Sequence, residues 1–305
     1  MGGTRRLFSR CSAVISDVDG TLVTGDKVLT PRAVAAVAKL RTHGIGFSII
    51  SSRPPRGLRM FVKPLGLENP IGGFNGGVIA APDLSAITAH LLEPAVARRA
   101  VDMLDARNVQ VWIFSEADWL VREPTCPYVA LEQRTIGFPP TVVGSFGRAR
   151  DIAAKIVGVS ANFDLLAQCE GDLRDVLGAG ASVARSQRYY LDITHPLANK
   201  GDALAEMATL MSVPLSEIAV IGDGGNDVAM FERSGLAIAM GNASLAVRQA
   251  ADFVTDNNQQ DGFANAVERF ILGDVDTGMA ADPAQADDRA NASQPAPLRR
   301  TASET

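Results

Sequence analysis

Cys11-Ser-Ala-Val-Ile-Ser16-Asp17-Val-Asp19-Gly-Thr-Leu22 decides the fold. Residues 11–16 form a short, mostly apolar run that ends at an acidic pair, which suits a strand buried on both faces of a parallel sheet. Active sites of open α/β sheets gather beyond the carboxyl ends of the strands. Asp17 and Asp19, one residue apart at such an end, project near a common point. Their crowding is costly unless a cation or a pKa shift relieves it. A polar turn made by Gly20 is the plainer alternative for these residues alone. Working outward, Thr30-Pro31 reads as a helix N-cap followed by proline at the first helical position. Residues 33–42 have helical spacing and stop near Gly44. Residues 46–50 form the next buried strand, ending at Ser51-Ser52-Arg53. Strand–helix–strand opens a Rossmann-like, doubly wound parallel-sheet α/β core.

Farther along, Phe74-Asn75-Gly76-Gly77 is a hairpin-turn signal between apolar flanks. From residue 82 to 187 the alternation is less regular. Helices are expected over 94–106 and 163–177, and strands over 109–114, 119–123 and 151–159, which together read as an inserted α+β cap domain. The parallel texture is expected to return with a strand at 189–194, a helix at 200–211, a strand at 218–221, a helix at 227–234 and a strand at 236–240. The expected organisation is a core of residues 1–81 and 188–274, a cap of 82–187 and a disordered tail of 275–305. The tail is rich in Ala, Asp, Ser and Pro and cannot bury enough apolar surface to offset its ordering entropy.

Composition narrows the function classes. A chain of 305 residues favours two domains, and 47% apolar with 21% charged residues is ordinary for a globular protein. The net charge of -5 and the lack of a basic stripe argue against a nucleic-acid partner. Cys11, Cys126 and Cys169 lie far apart with no CxxC pair, so neither a disulfide framework nor a zinc knuckle is expected. The N-terminus carries charge without the apolar stretch of a secretory signal. Charged residues interrupt every candidate membrane span. A cytoplasmic protein is the expectation, and its oligomeric state is open.

A second motif, Gly222-Asp-Gly-Gly-Asn-Asp227, also follows a buried apolar strand. Helix capping explains Asp227 well but not its pairing with the first cluster. Four carboxylates at one sheet edge would repel unless a hard cation with oxygen ligands, Mg2+ above all, sat among them. Ser51 follows the second strand, where a hydroxyl and backbone N–H groups can hold an anion; a capping serine explains it equally well alone. Lys200 opens a helix after Asn199. A lysine in the first turn opposes the helix dipole, so an anionic partner or plain solvation must account for it.

In order, Asp17-Val-Asp-Gly-Thr-Leu, Ser51, Lys200 and Gly222-Asp-Gly-Gly-Asn-Asp227 resemble the four motifs of the haloacid dehalogenase-like superfamily. The insertion resembles its class IIB cap. Asn75-Gly76-Gly77, Met240-Gly-Asn-Ala243 and Asp261-Gly-Phe-Ala264 are similar to its Cof-type branch, and the likeness covers roughly residues 11–272. The resemblance implies Asp17 as nucleophile and Asp19 as general acid/base, the latter helped by a raised pKa. It implies Ser51, Lys200 and Asn226 as phosphate- or substrate-binding groups. Asp17, the Asp19 backbone carbonyl and Asp223 would be magnesium ligands, with Asp227 supporting the metal. Two positions depart from the family pattern: Ser51-Ser52 stands where Thr-Gly is common, and Gly225 where an acid is common. His195 has no paired ligand spacing and reads as structural. Trp112, Phe114 and Trp119 read as cap core.

The implied activity is Mg2+-dependent hydrolysis of small phosphomonoesters, sugar phosphates above all, through a phosphoryl-aspartate on Asp17. The alternatives are a phosphomutase of sugar phosphates, which would need the intermediate to survive water, and a non-catalytic metabolite-binding protein. The expected partner is a small phosphorylated metabolite, with no nucleic acid and no membrane.

Overall fold

The computed structural model describes residues 10–273, so the tail expected over 275–305 lies outside the described residues. Chain order begins β1 (Ala13–Ser16), α1 (Pro31–Thr42), β2 (Gly46–Ile49), α2 (Arg59–Leu65), β3 (Ile71–Gly73), β4 (Val78–Ala80) and β5 (Ala86–Ala89). It continues through α3 (Pro94–Asp105), β6 (Gln110–Phe114), β7 (Trp119–Val121), α4 (Pro127–Ile136), β8 (Thr141–Val142), β9 (Lys155–Val159), α5 (Phe163–Leu177), β10 (Ser182–Gln187) and β11 (Tyr190–Thr194). It closes with α6 (Lys200–Met211), β12 (Ile218–Gly222), α7 (Val228–Phe231), β13 (Leu236–Ala239), α8 (Leu245–Gln249), β14 (Phe253–Val254) and α9 (Gly262–Ala266).

The first sheet has the order β14-β13-β12-β1-β2, and each of its pairings is parallel. Its central strands are almost wholly apolar because both faces are covered. Val14, Ala219, Ile221, Leu236 and Ile238 point into one core with α1. Ala13, Ile15, Ile218, Val220 and Ala237 point into the other with α6. That two-sided burial makes β1 read as a continuous apolar run rather than an alternating one. The Thr30 hydroxyl accepts the Ala33 N–H at 3.1 Å and starts α1, with Pro31 at its first position. Asn199 caps α6 in the same way, accepting from the Asp202 N–H at 2.9 Å.

β3, β4 and β5 form an antiparallel sheet of their own, and the Phe74–Gly77 signal is the β3–β4 turn. Gly76 sits at φ 98°, and a Cβ there would collide with Ala203 of α6. Glycine lets the turn lie flat against that helix.

The other sheet has the order β10-β11-β9-β6-β7-β8 and is antiparallel except between β7 and β8. One face packs Val111, Ile113, Ile156, Leu191 and Ile193 against α3 and α5. The other carries Trp112, Phe114, Val157, Val159 and Tyr190 and meets α4 and the Phe74 turn.

Several expectations are corrected. The strand at 190–194 does not belong to the parallel sheet: it lies between β9 and β10, antiparallel to both. Its apolar pattern fits either sheet, and only register decides. The strand expected from residue 151 starts at Lys155, because Gly147–Asp151 is a 3-10 turn. The strand over 119–123 ends at Val121. The helix expected over 227–234 is a 3-10 turn, Gly225–Asp227, followed by the short α7. Among the described residues no helix is long and apolar enough to cross a membrane.

Candidate active site

The carboxyl ends of β1 and β12 lie side by side, so their loops meet. The Asp17 N–H extends the ladder by donating to the Ile221 carbonyl at 2.9 Å. Asp17 is buried, and its Oδ1 accepts a hydrogen bond from the Lys200 ammonium. The same ammonium donates to Asp227 Oδ1 at 2.6 Å. Lys200 is 0% exposed, which removes the reading of a solvated lysine and explains why a cation opens α6 against the dipole. Asp227 Oδ2 accepts the N–H groups of Asp223 at 2.9 Å and Gly224 at 2.8 Å. Both Asp227 oxygens are therefore engaged, and it acts as the post that ties Lys200 to the 222–227 loop.

Asp223 completes the cluster. Its Oδ1 accepts from the Thr21 hydroxyl at 3.3 Å and its Oδ2 from the Asn242 amide at 3.0 Å. Asn242 also donates to the Gly20 carbonyl at 2.9 Å, joining the two acidic loops. One carboxylate oxygen from each of Asp17, Asp223 and Asp227 lies within 4.8 Å of the others. Three carboxylates face one ammonium. Burial, and then Asp227, push the Asp17 carboxyl up, with Lys200 opposing them. Burial and Asp227 likewise push Asp223 up to about 6. Burial disfavours the Lys200 charge, but Asp17 and Asp227 outweigh it and keep the ammonium protonated. An all-oxygen donor set with uncompensated negative charge fits a hard divalent cation.

Asp19 is not in that triad. Burial would raise its pKa, but Arg53 and Lys27 together hold it below the usual carboxylate range. Arg53 clamps it with two bonds of 2.7 Å, and Lys27 adds a contact of 2.8 Å. The raised pKa expected of Asp19 is thus corrected in this arrangement: the carboxyl is held ionised. Ser51 is fully buried at the end of β2, where its hydroxyl accepts the Arg53 N–H at 3.2 Å. Asn226 stands on the exposed rim and donates to Asn75 Oδ1 at 3.0 Å, joining the β3–β4 turn to the acidic loop. His195 follows β11 and stacks on His90 at 5.6 Å. Trp119 packs on both Trp112 and Phe114 inside the core of the six-stranded sheet.

Sequence reasoning missed Arg53 and Lys27 as partners of Asp19, and Asn242 as a partner of Asp223. Arg53 adjoins Ser51 in a motif already singled out. Lys27 sits in a loop at φ 64° and carries no local signal.

A family model described as haloacid dehalogenase-like hydrolase matches residues 14–267. The chain belongs to that family. A Haemophilus influenzae protein is 28% identical over 263 residues, covering 84% of this chain and 97% of its own length. The pyridoxal phosphate phosphatase YbhA of Escherichia coli is 25% identical over 267 residues, with coverage of 84% and 97%. A haloacid dehalogenase-like hydrolase from Bacteroides thetaiotaomicron superposes with a TM-score of 0.79 at 26% identity, covering 86% of this chain and 100% of that one. A subclass IIB sugar phosphatase, at 20% identity and a TM-score of 0.74, shares the fold over 85% of this chain and 98% of its own. The enzyme is a Cof-type hydrolase with phosphatase activity. The family uses a divalent metal, and the acidic triad is where this member could hold one.

Proposed function

We propose that this phosphatase hydrolyses small phosphomonoesters, sugar phosphates first among them, through a phosphoryl-aspartate on Asp17, with Mg2+ bound by Asp17, the Asp19 carbonyl and Asp223. The observation that carries the reading is the buried Lys200 ammonium held between Asp17 and Asp227, with Asp223 within 4.8 Å. Bound Mg2+ would neutralise carboxylate and phosphate charge and so let an anionic nucleophile approach an anionic ester. Asp17 attacks phosphorus and splits hydrolysis into two easier steps. Lys200, fixed by Asp227, offers its remaining proton to a phosphate oxygen. Ser51 and Asn226 contact the phosphoryl group or the substrate.

Asp19 serves both halves of the cycle. Its ionised, Arg53-clamped form suits the second half, in which it takes a proton from the attacking water. The first half needs the acid form, so Arg53 and Lys27 must release it when substrate binds. The test is Mg2+-dependent release of phosphate from p-nitrophenyl phosphate. Asp17→Asn abolishes the activity; a variant that kept the wild-type rate would refute the nucleophile.

A further inference from the structure

One charged cluster lies outside the acidic centre and is not accounted for by folding. The face of the six-stranded sheet that meets α4 is aromatic and aliphatic: Trp112, Phe114, Val157, Val159 and Tyr190. Strand alternation places Lys155 of β9 and Asp192 of β11 on that same face. Their side chains are 13% exposed and pair at 2.7 Å through Asp192 Oδ2. Asp192 Oδ1 is buried and has no hydrogen-bond partner. An unsatisfied buried acceptor is costly, so a donor belongs beside it.

Glu132 is the third member. Helical spacing sets Tyr128, Glu132 and Ile136 along one stripe of α4. Tyr128 stacks on Tyr189 at 4.5 Å, and its carbonyl accepts from the Tyr190 hydroxyl at 3.2 Å. Ile136 packs against Gly57, and the next turn of chain is pinned where Arg56 lies over the Phe138 ring at 4.4 Å. Glu132 therefore sits between β11 and the Arg53–Leu58 segment. Burial, above all, pushes its carboxyl above the usual range; Lys155 and Arg53 oppose that, and Asp192 and Asp19 add to it, so all four charges lie within its reach. The cluster looks across at the Asp19–Arg53 pair.

We infer that Glu132, Lys155 and Asp192 form the leaving-group subsite of this enzyme and select a hydroxyl-bearing leaving group that carries no second anion. The inference rests on the phosphatase reading, because Asp19 must face the leaving oxygen. Lys155 spends one N–H on Asp192 and has others to donate, while Asp192 Oδ1 and Glu132 accept. Alternating donors and acceptors match hydroxyl groups, which do both. A second phosphate or carboxylate would meet two carboxylates and one ammonium that is already paired.

The experiment measures kcat/KM of the full-length wild type, Glu132→Gln and Asp192→Asn with Mg2+ on a hexose monophosphate, a hexose bisphosphate and p-nitrophenyl phosphate. Wild type prefers the monophosphate to the bisphosphate by about tenfold or more. Each variant narrows that preference by about fivefold or more, with KM for the monophosphate rising more than kcat falls, as expected when a hydrogen bond to a charged group is lost. Glu132→Gln, on a different element from Asp192, keeps the test decisive if Asp192→Asn folds poorly. Ratios that stay within about twofold of wild type, or an equal loss on all three substrates, overturn the subsite. A wild type that turns over none of the three refutes the phosphatase reading itself.

Discussion

Asp17→Asn should make the metal-free protein more stable while destroying its activity. The carboxylates of Asp17, Asp223 and Asp227 approach within 4.8 Å, and Asp17 is buried. At that separation each repulsion is worth about 3–4 kcal/mol at an effective dielectric near 20. Lys200 offsets most of the two repulsions on Asp17, and the desolvation of a buried carboxylate remains. Lys200 keeps Asp227 as its partner, so Asp17→Asn is not the costly case of an orphaned charge. Replacing buried ionic groups by neutral ones of similar volume is neutral or stabilising by about 1–4 kcal/mol. For a chain of this size that is a melting temperature roughly 3–12 °C higher. The pH dependence has a definite sign. Burial raises the folded-state pKa of Asp17 from 3.8 to about 8. Between those values the folded state binds the proton that the unfolded state releases, so wild-type stability falls as pH rises through the window. The variant escapes that loss, and its advantage grows from pH 5 to pH 8. The assay is differential scanning fluorimetry in EDTA across that range, repeated with Mg2+. A cation bound among these carboxylates would neutralise the same charge, so under the proposed function Mg2+ is expected to raise the wild-type melting temperature more than that of Asp17→Asn. A metal-free variant at pH 8 that melts at or below wild type would show that the triad is not under-compensated and sink the argument.

Lys200→Met removes the buried cation between two carboxylates and should cost about 3–5 kcal/mol, read by chemical denaturation, with phosphate release from p-nitrophenyl phosphate lost even where the protein stays folded; near-wild-type stability would contradict the buried triad. Gly20→Ala places a Cβ against the Asp223 carboxylate at φ 85°, so Mg2+ affinity measured by calorimetry falls at least about tenfold, a misplaced ligand of this kind being worth 10–100-fold; unchanged affinity would remove Asp223 from the metal site. Trp112 is fully buried, yet its indole N–H has no partner. Trp112→Phe should therefore cost less than about 1.5 kcal/mol, and Trp112→Ala about 3–5 kcal/mol, by urea denaturation; equal losses would mean that the N–H is bonded in solution.

The acidic centre was legible in the sequence because each of its members marks a structural event. Asp17 and Asp223 both follow runs of apolar residues that only a two-sided strand explains, and parallel neighbours bring such ends together. Lys200 was legible as a misfit, a cation where the helix dipole disfavours one, and its burial between Asp17 and Asp227 supplies the reason. What did not show is whatever depends on register or on loop path. Tyr190–Thr194 has the same alternation whether it joins the parallel sheet or lies between β9 and β10, so its sheet was misread, and the juxtaposition of Asp192 with Lys155 went unseen. α4 stayed hidden because only Val129 and Ile136 of its ten residues are buried, too few to print a helical period on the chain. Arg53 and Lys27 reach Asp19 from loops whose path no periodicity encodes. Those two residues bear directly on chemistry. In the proposed mechanism Asp19 is the acid/base group, and its partners set which of the two forms the substrate-free enzyme holds. With Arg53 bidentate and Lys27 adding a third contact, that form is the base. The energy to free Asp19 as an acid must then come from substrate binding, which ties the first catalytic step to whatever engages Arg53 and the cleft beside Glu132.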